Sequence, residues 1–284
     1  MTTGADNNLW QTGGMIRIDL ERPEGVRWVP DRPTGDGVLV VAGSSGRVDT
    51  DRARLFADLG CVAESIRWLG GPGQHPDPWE IPLETFLDRI DDLKQSCDRV
   101  HIVGLSFGAE AALLCGAHSP NIDSVIAFAP TDVVWAGYDH DRETSHWTLD
   151  GRPLAYVPMD WQNYVAEPVP RYRPHYERSR VTFADRVPAA TIPVDRIAQL
   201  ILVAGGEDQV WSSVGHARRI RAIRSAAGLP TELIAVADAG HRAILPGEVE
   251  VVAGATMQRG GTPAADRDLG RQAWRAITAM LGSS

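Results

Sequence analysis

The sequence predicts an α/β fold in which a mostly parallel eight-stranded sheet is flanked by helices. Three observations carry this reading. Continuous apolar runs of strand length, such as "GVLVVAG" and "RVHIVG", alternate with stretches of helical length, as parallel βαβ units require. Two short alternating runs, "MIRIDL" and "VRWV", come first with "ERPEG" between them, the pattern of a β-hairpin. With 284 residues, 43% hydrophobic and 23% charged, the chain has ordinary globular composition and length enough for one large core.

Taken in order, residues 1–14 read as a disordered tail and 15–284 as a single catalytic domain. After the hairpin, "GVLVVAG" (37–43) is the third strand. Asp49 or Thr50 then caps a helical pattern that stops at Gly60. "VAESIRW" is a strand, "IPLETFLDRIDDLKQS" a helix with proline in its first turn, and "RVHIVG" the fifth strand. A helix runs from Ser106 to about His118, and "IDSVIAFA" is the sixth strand. From about 131 to 193 the periodicity fails amid many Pro, Trp, Tyr and Arg residues, which predicts an irregular lid or substrate-binding insertion. "IAQLILVAG", "SSVGHARRIRAIRSAAG" and "TELIAVA" restore the strand–helix–strand rhythm, and a last helix spans about Ala264 to Leu281.

Composition excludes several classes. A net charge of −9 argues against nucleic-acid binding, which needs clustered cations. No apolar run reaches the roughly 18 residues of a membrane span. The N-terminus lacks the basic and apolar regions of a secretion signal, so a cytoplasmic location is expected. Cys61, Cys97 and Cys115 lie on or beside predicted elements and read as reduced core thiols. Lys94 is the one lysine, and arginines bunch in "RYRPHYERSR" (171–180) and "RRIRAIR" (218–224), a candidate anion site on an acidic chain.

The turn "GLSFG" (104–108) places Ser106 between a strand and a helix, in the G-x-S-x-G pattern of a nucleophile elbow. That pattern arises by chance too often to stand alone. Its context supplies more. A serine nucleophile needs a base, itself oriented by a carboxylate. Asp208 follows the strand ending "LVAG", and His241 follows "TELIAVA" on a glycine-rich turn. Ser106, Asp208 and His241 thus have the chain order and strand-end placement of an α/β-hydrolase triad. Glu207 and Asp238 are alternative orienting acids. The backbone amide of Phe107, at a helix N-terminus, is the first expected oxyanion donor, and that of Ser44 in "AGSSGR" the second. His101 reads as core, His118 and His216 as helix-surface residues, and His75, His140, His146 and His175 as loop histidines within possible reach of substrate. "YDHD" (138–141) is too short for a metal site, so neither a metal nor a cofactor is expected.

Together, "VVAGSSG", "IRWLGG" with "IPLETF", "GLSFGAEAAL", "SHWTLDGRPLAYVP", "GEDQVWSS" and "DAGH" resemble the C-terminal catalytic domain of acyl-CoA thioesterases and bile acid-CoA:amino acid N-acyltransferases. The resemblance runs from about Arg17 to Gly247. It implies that Asp208, in the D-x-x-W element, is the triad acid. It also implies a serine hydrolase acting on an acyl thioester of coenzyme A or of a carrier-bound phosphopantetheine. In that family some members carry cysteine as nucleophile and acylate amines, whereas serine members mainly hydrolyse. Two departures are visible. The separate N-terminal β-sandwich of the animal enzymes is not expected, and Phe107 stands where bacterial relatives often have a polar or long side chain. Other readings are a carboxylesterase or dienelactone-hydrolase-like enzyme, acyl transfer to an amine, and a ligand-binding relative without turnover. A dense aromatic supply suits a wall for an acyl group. Trp135, Tyr138, Trp147, Tyr156, Trp161 and Tyr164 are its candidates, and Trp211 is a candidate contact or a support for the acid loop.

Overall fold

The computed structural model describes residues 9–11, 14–249 and 255–282. All eight expected strands join one sheet. They are β2 (Met15–Glu21), β3 (Glu24–Pro30), β4 (Asp36–Val41), β5 (Val62–Ile66), β6 (Arg99–Leu105), β7 (Ser124–Phe128), β8 (Gln199–Gly205) and β9 (Glu232–Val236). A three-residue strand, β1 (Leu9–Gln11), pairs antiparallel with β2 and extends the edge, so part of the expected tail is ordered backbone. Residues 1–8, 12 and 13 of that tail lie outside the described residues.

The sheet order is β1-β2-β3-β5-β4-β6-β7-β8-β9. The first three strands and the β3–β5 pairing are antiparallel, and β4 to β9 are mutually parallel. The chain steps from β4 outward to β5 and returns past β4 to β6. That reversal is a topological switch point, and the crevice for a ligand opens outside the carboxyl ends of β4 and β6.

The central strands are covered on both faces, so every residue of β4, β5 and β7 is buried, Glu64 and Ser65 of β5 included. On one face lie α2 (Glu84–Lys94), α3 (Phe107–His118) and α5 (Ser213–Ala226), whose side chains share a core with Leu39, Ile102 and Leu202. On the other lie α1 (Thr50–Ala57) and α6 (Pro263–Leu281), packing on Val38, Val103 and Val203. Phe86, Ile90 and Leu93 recur at helical spacing and form the buried stripe of α2. In contrast, α3 is buried all round and built from small residues, as expected of a helix against the centre of the sheet. The expected helix over "IPLETF" starts late. Ile81–Pro82 instead form a short strand parallel to Trp147–Thr148, since Pro82 has no N–H to donate and suits an edge.

The insertion is more ordered than its sequence suggests. Ala136–Asp139 and Arg142–Ser145 form a hairpin, Trp147–Leu149 joins the Ile81–Pro82 ladder, and α4 (Arg173–Thr182) follows. Val133, Trp135, Val157, Met159 and Ala190 give the insertion a small core of its own. These elements are mostly too short to leave a readable period. No described helix is long and apolar enough to cross a membrane.

Candidate active site

Ser106 ends the β6 run and caps α3 with φ 59° and ψ −120°, a conformation side chains rarely adopt. Its amide donates to the Phe128 carbonyl at 2.9 Å, so the strained residue is held between β6 and β7. The two glycines of the motif have a steric cause. A Cβ on Gly104 would lie 2.0 Å from the Gly108 carbonyl oxygen, and one on Gly108 would lie 2.4 Å from that of Ala42. The turn therefore closes only if both positions lack side chains.

Asp208 lies three residues beyond β8 and is fully buried. Its Oδ1 accepts the amides of Val210 at 2.8 Å and Trp211 at 3.3 Å, and its Oδ2 lies 2.8 Å from Nδ1 of His241. The His241 amide donates to the Arg259 carbonyl at 2.9 Å, which fixes the turn that carries the ring. With Nδ1 engaged by the carboxylate, Nε2 is the ring nitrogen left to act on a substrate. Glu207 and Asp238, the alternative acids, both have exposed side chains. Of the three carboxylates, Asp208 is the one against the imidazole.

Ser106 and His241 line one cavity of about 460 Å³. Ser44 lines it as well, from the loop after β4. That loop comes close to the nucleophile: a Cβ on Gly43 would sit 3.3 Å from the Ser106 Cβ. The Trp68 indole, donating to the Ala42 carbonyl at 3.0 Å, braces it from behind. Phe107 is the first residue of α3, so its amide is among those without an intrahelical acceptor.

The aromatic candidates divide. Tyr138 and Trp161 line the cavity, with their rings 5.8 Å apart. Tyr138 donates its hydroxyl to Glu143 at 2.7 Å, and burial followed by this hydrogen bond raises its pKa above the ordinary tyrosine value. Trp135 and Trp147 do not face the cavity. Both are fully buried, the first in the insertion's own core and the second under α2 and α3, because each indole has an internal acceptor. Trp135 donates to Thr131 at 2.9 Å and Trp147 to Glu110 at 2.9 Å. Tyr156 packs between those two cores, and Tyr164 stands behind Trp161, ring centroids 5.3 Å apart. Trp211 is buried against His241 and Phe107, at 5.5 and 5.6 Å between rings, and supports the acid loop without lining the cavity.

His140 and His146 line the cavity. His101 is core, its ring between Ser124 and Asp36. His216, expected on a helix surface, is buried against Asp132 because α5 turns that face toward the insertion. Among the described residues no cluster of His, Cys, Asp and Glu could hold a metal.

The arginines of 171–180 are taken up within the fold. Arg171 pairs with Glu167, Arg173 with Glu177 and the Gly206 and Asp208 carbonyls, Arg178 with the Asn163 carbonyl, and Arg180 with Asp132. The arginines that line the cavity are others: Arg47, which itself pairs with Asp49 at 3.0 Å, Arg242 and Arg259. Burial, then the charges of Arg259, Arg47 and Arg52, pushes the Arg242 guanidinium below its ordinary pKa. Sequence reading passed over these three because they are scattered along the chain, although Arg242 adjoins His241.

The family described as "BAAT / Acyl-CoA thioester hydrolase C terminal" matches residues 84–282. The chain belongs to this family. The match begins later than the quoted resemblance and continues through α6. No curated protein sequence matches the chain. An arylesterase structure is similar over 96% of this chain and 86% of its own, at 15% identity and a TM-score of 0.55. A candidate dienelactone hydrolase from Klebsiella pneumoniae subsp. pneumoniae MGH 78578 is similar over 95% and 94%, at 13% identity and a TM-score of 0.51. A hormone-sensitive lipase from a metagenome library is similar over 99% and 87%, at 15% identity and a TM-score of 0.50. These neighbours share the α/β-hydrolase fold.

Proposed function

We propose that this family member is a serine hydrolase that cleaves acyl thioesters through an acyl-Ser106 intermediate. The observation that carries this reading is His241, held 2.8 Å from the buried Asp208, lining the same cavity as a serine in a strained elbow. In the first half-reaction Ser106 Oγ attacks the thioester carbonyl carbon while His241 Nε2 takes its proton. Asp208 holds the tautomer that leaves Nε2 basic and stabilises the imidazolium that forms. The amides of Phe107 and Ser44 receive the oxyanion. Collapse breaks the C–S bond, and the thiolate leaves with the proton from His241. In the second half-reaction His241 takes a proton from water, the resulting hydroxide attacks the acyl-serine, and Oγ recovers the proton as its bond to the acyl carbon breaks.

A thioester with a phosphorylated leaving group is favoured by Arg47, Arg242 and Arg259, which bring positive charge to the cavity of an acidic chain. The test is a panel of acyl-CoA thioesters, acyl-N-acetylcysteamine thioesters and p-nitrophenyl oxoesters of the same acyl groups, with fluorophosphonate labelling of Ser106. We expect the highest kcat/KM for acyl-CoA, and a KM for it that rises with ionic strength while that of the neutral thioester stays level. Labelling with turnover of oxoesters alone would make the chain an esterase. Absence of labelling would remove Ser106 as nucleophile.

A further inference from the structure

The cavity holds a second imidazole beside a buried carboxylate. Glu110 is the fourth residue of α3, one turn beyond the proposed nucleophile, and its amide donates to the Ser106 carbonyl at 3.1 Å. Its side chain is fully buried. Oε1 accepts the Trp135 amide at 3.1 Å and the Trp147 indole at 2.9 Å, and lies 3.4 Å from Nδ1 of His146. At that distance the imidazole contact is an approach and not a formed hydrogen bond. Among the described residues neither Glu110 Oε2 nor His146 Nδ1 has a hydrogen-bond partner, and both atoms are buried. A buried polar atom left unsatisfied is costly, and each such atom in a folded protein calls for a cause, function among them. Hydrogen bonds in catalytic sites are often long in the free protein and tighten on binding.

His146 is only 3% exposed and lines the cavity. Its ring packs on that of Phe107, centroids 4.2 Å apart, and the Phe107 amide is the proposed oxyanion donor. His146 and Ser106 line the same cavity, so the imidazole borders the space that a substrate must occupy. With Nδ1 turned toward Glu110, Nε2 is the nitrogen left for the cavity. Besides His146 and the exposed His140, the insertion lines the cavity with Ala136, Gly137, Met159 and four aromatic rings, three of them tyrosines. A buried imidazole approached by a carboxylate is thus a hydrogen-bonding group on a wall made largely of aromatic and small side chains.

We propose that His146 is a specificity-determining residue. Its Nε2 hydrogen-bonds a polar group carried by the acyl chain one or two carbons from the reacting carbonyl, and Glu110 positions the ring. The preferred acyl group then carries a hydroxyl near the carbonyl and is not a plain alkyl chain. This rests on Ser106 being the nucleophile but not on the leaving group being a thiol.

The test uses matched butanoyl and 3-hydroxybutanoyl substrates, each as an N-acetylcysteamine thioester and as a p-nitrophenyl oxoester. Wild type, His146→Phe and Glu110→Gln are compared by the ratio of kcat/KM, hydroxyacyl over plain acyl. Phenylalanine keeps a ring against Phe107 and removes the nitrogens. Glutamine keeps an oxygen for the two tryptophan donors and removes the charge. In wild type the ratio should be about tenfold, the worth of one net hydrogen bond, and expressed mainly in KM. His146→Phe should bring it close to one, and Glu110→Gln should give an intermediate ratio at an unchanged melting temperature. A wild-type ratio near one overturns the proposal. So does the same ratio in His146→Phe, or an equal loss on both substrates. Turnover of the oxoesters alone would refute the thioesterase reading while the ratio still reports on His146.

Discussion

The two walls of the cavity are held in place by different means. Ser106, Asp208 and His241 stand a few residues beyond β6, β8 and β9, where parallel ladders fix the backbone. The insertion's wall is fastened by side chains: Trp135 and Trp147 to Glu110, and Asp132 to Arg219. The first wall inherits its geometry from the sheet and is suited to chemistry that tolerates little displacement. The second can vary in shape without moving the nucleophile, as loops that carry specificity on a rigid scaffold usually do. Substitutions on the two walls should therefore fail differently.

The largest effect belongs to the sheet-end wall. Ser106→Ala should abolish turnover, and Asp208→Asn should lower kcat by about 10⁴-fold, as removal of the orienting carboxylate does in comparable triads. Both proteins should melt near the wild-type temperature, and Glu207→Gln should be active, because that side chain is exposed. Steady-state kinetics with parallel thermal melts would check this. Near-normal rates in Asp208→Asn would detach the acid from the mechanism and erase the contrast between the walls.

Fastening of the insertion should show in stability. Asp132, just beyond β7, receives Arg180 of α4 at 2.8 Å, Arg219 of α5 at 3.0 Å and the His216 ring. Burial alone would raise its pKa. The hydrogen bond and charge of His216, then those of Arg219, more than reverse this and hold the carboxyl well below the usual carboxylate range. A depressed folded pKa gives stability that is fully present above the unfolded value of ~4 and is lost as pH falls toward the folded value. Asp132→Asn should cost about 2 kcal/mol at neutral pH, below the usual figure for a broken buried pair because both arginines are partly solvated. Urea unfolding between pH 2.5 and 6 should show a shallower acid slope in the variant. Identical slopes would mean that Asp132 does not fasten the insertion.

The same contrast explains what could be read from sequence. Most of the parallel strands were legible because double-sided burial gives apolar runs such as "GVLVVAG", and the opening hairpin because its half-buried strands alternate. The placement of Ser106, Asp208 and His241 at one end of the sheet was legible because each follows a parallel strand, so chain order and strand-end position test one another. The insertion obeys neither rule. Its hairpin strands have four residues each, and nothing in the local pattern separates Trp135, which is core, from Trp161, which lines the cavity. The arginines of 171–180 also misled, because a one-dimensional cluster says nothing of the carboxylates and carbonyls that meet it in space.

Within the insertion, one substitution on the cavity wall and one in the small core should separate shaping from folding. Trp161 is 46% exposed in a single 3₁₀ turn and touches Tyr138, Tyr164 and His175 through its ring. Just over half of its surface is buried, on the order of 100 Å² for a tryptophan, so Trp161→Ala should cost about 2 kcal/mol without leaving a closed void. Trp135 is fully buried and donates to Thr131, so Trp135→Ala should cost about 3–5 kcal/mol through the void it leaves. The kinetic signatures should be reversed in kind. Truncating Trp161 removes contact with bound acyl group in ground state and transition state alike, which raises KM and leaves kcat nearly level. The rise should be a few-fold, larger for long or aromatic acyl groups than for acetyl, because only the former extend far enough to meet the ring. Measuring KM and kcat over an acyl series, with a melting curve for each variant, decides the matter. If Trp161→Ala lowered kcat for acetyl and long-chain substrates alike, this wall would be positioning the reacting carbonyl, and the division of labour between the two walls would not hold.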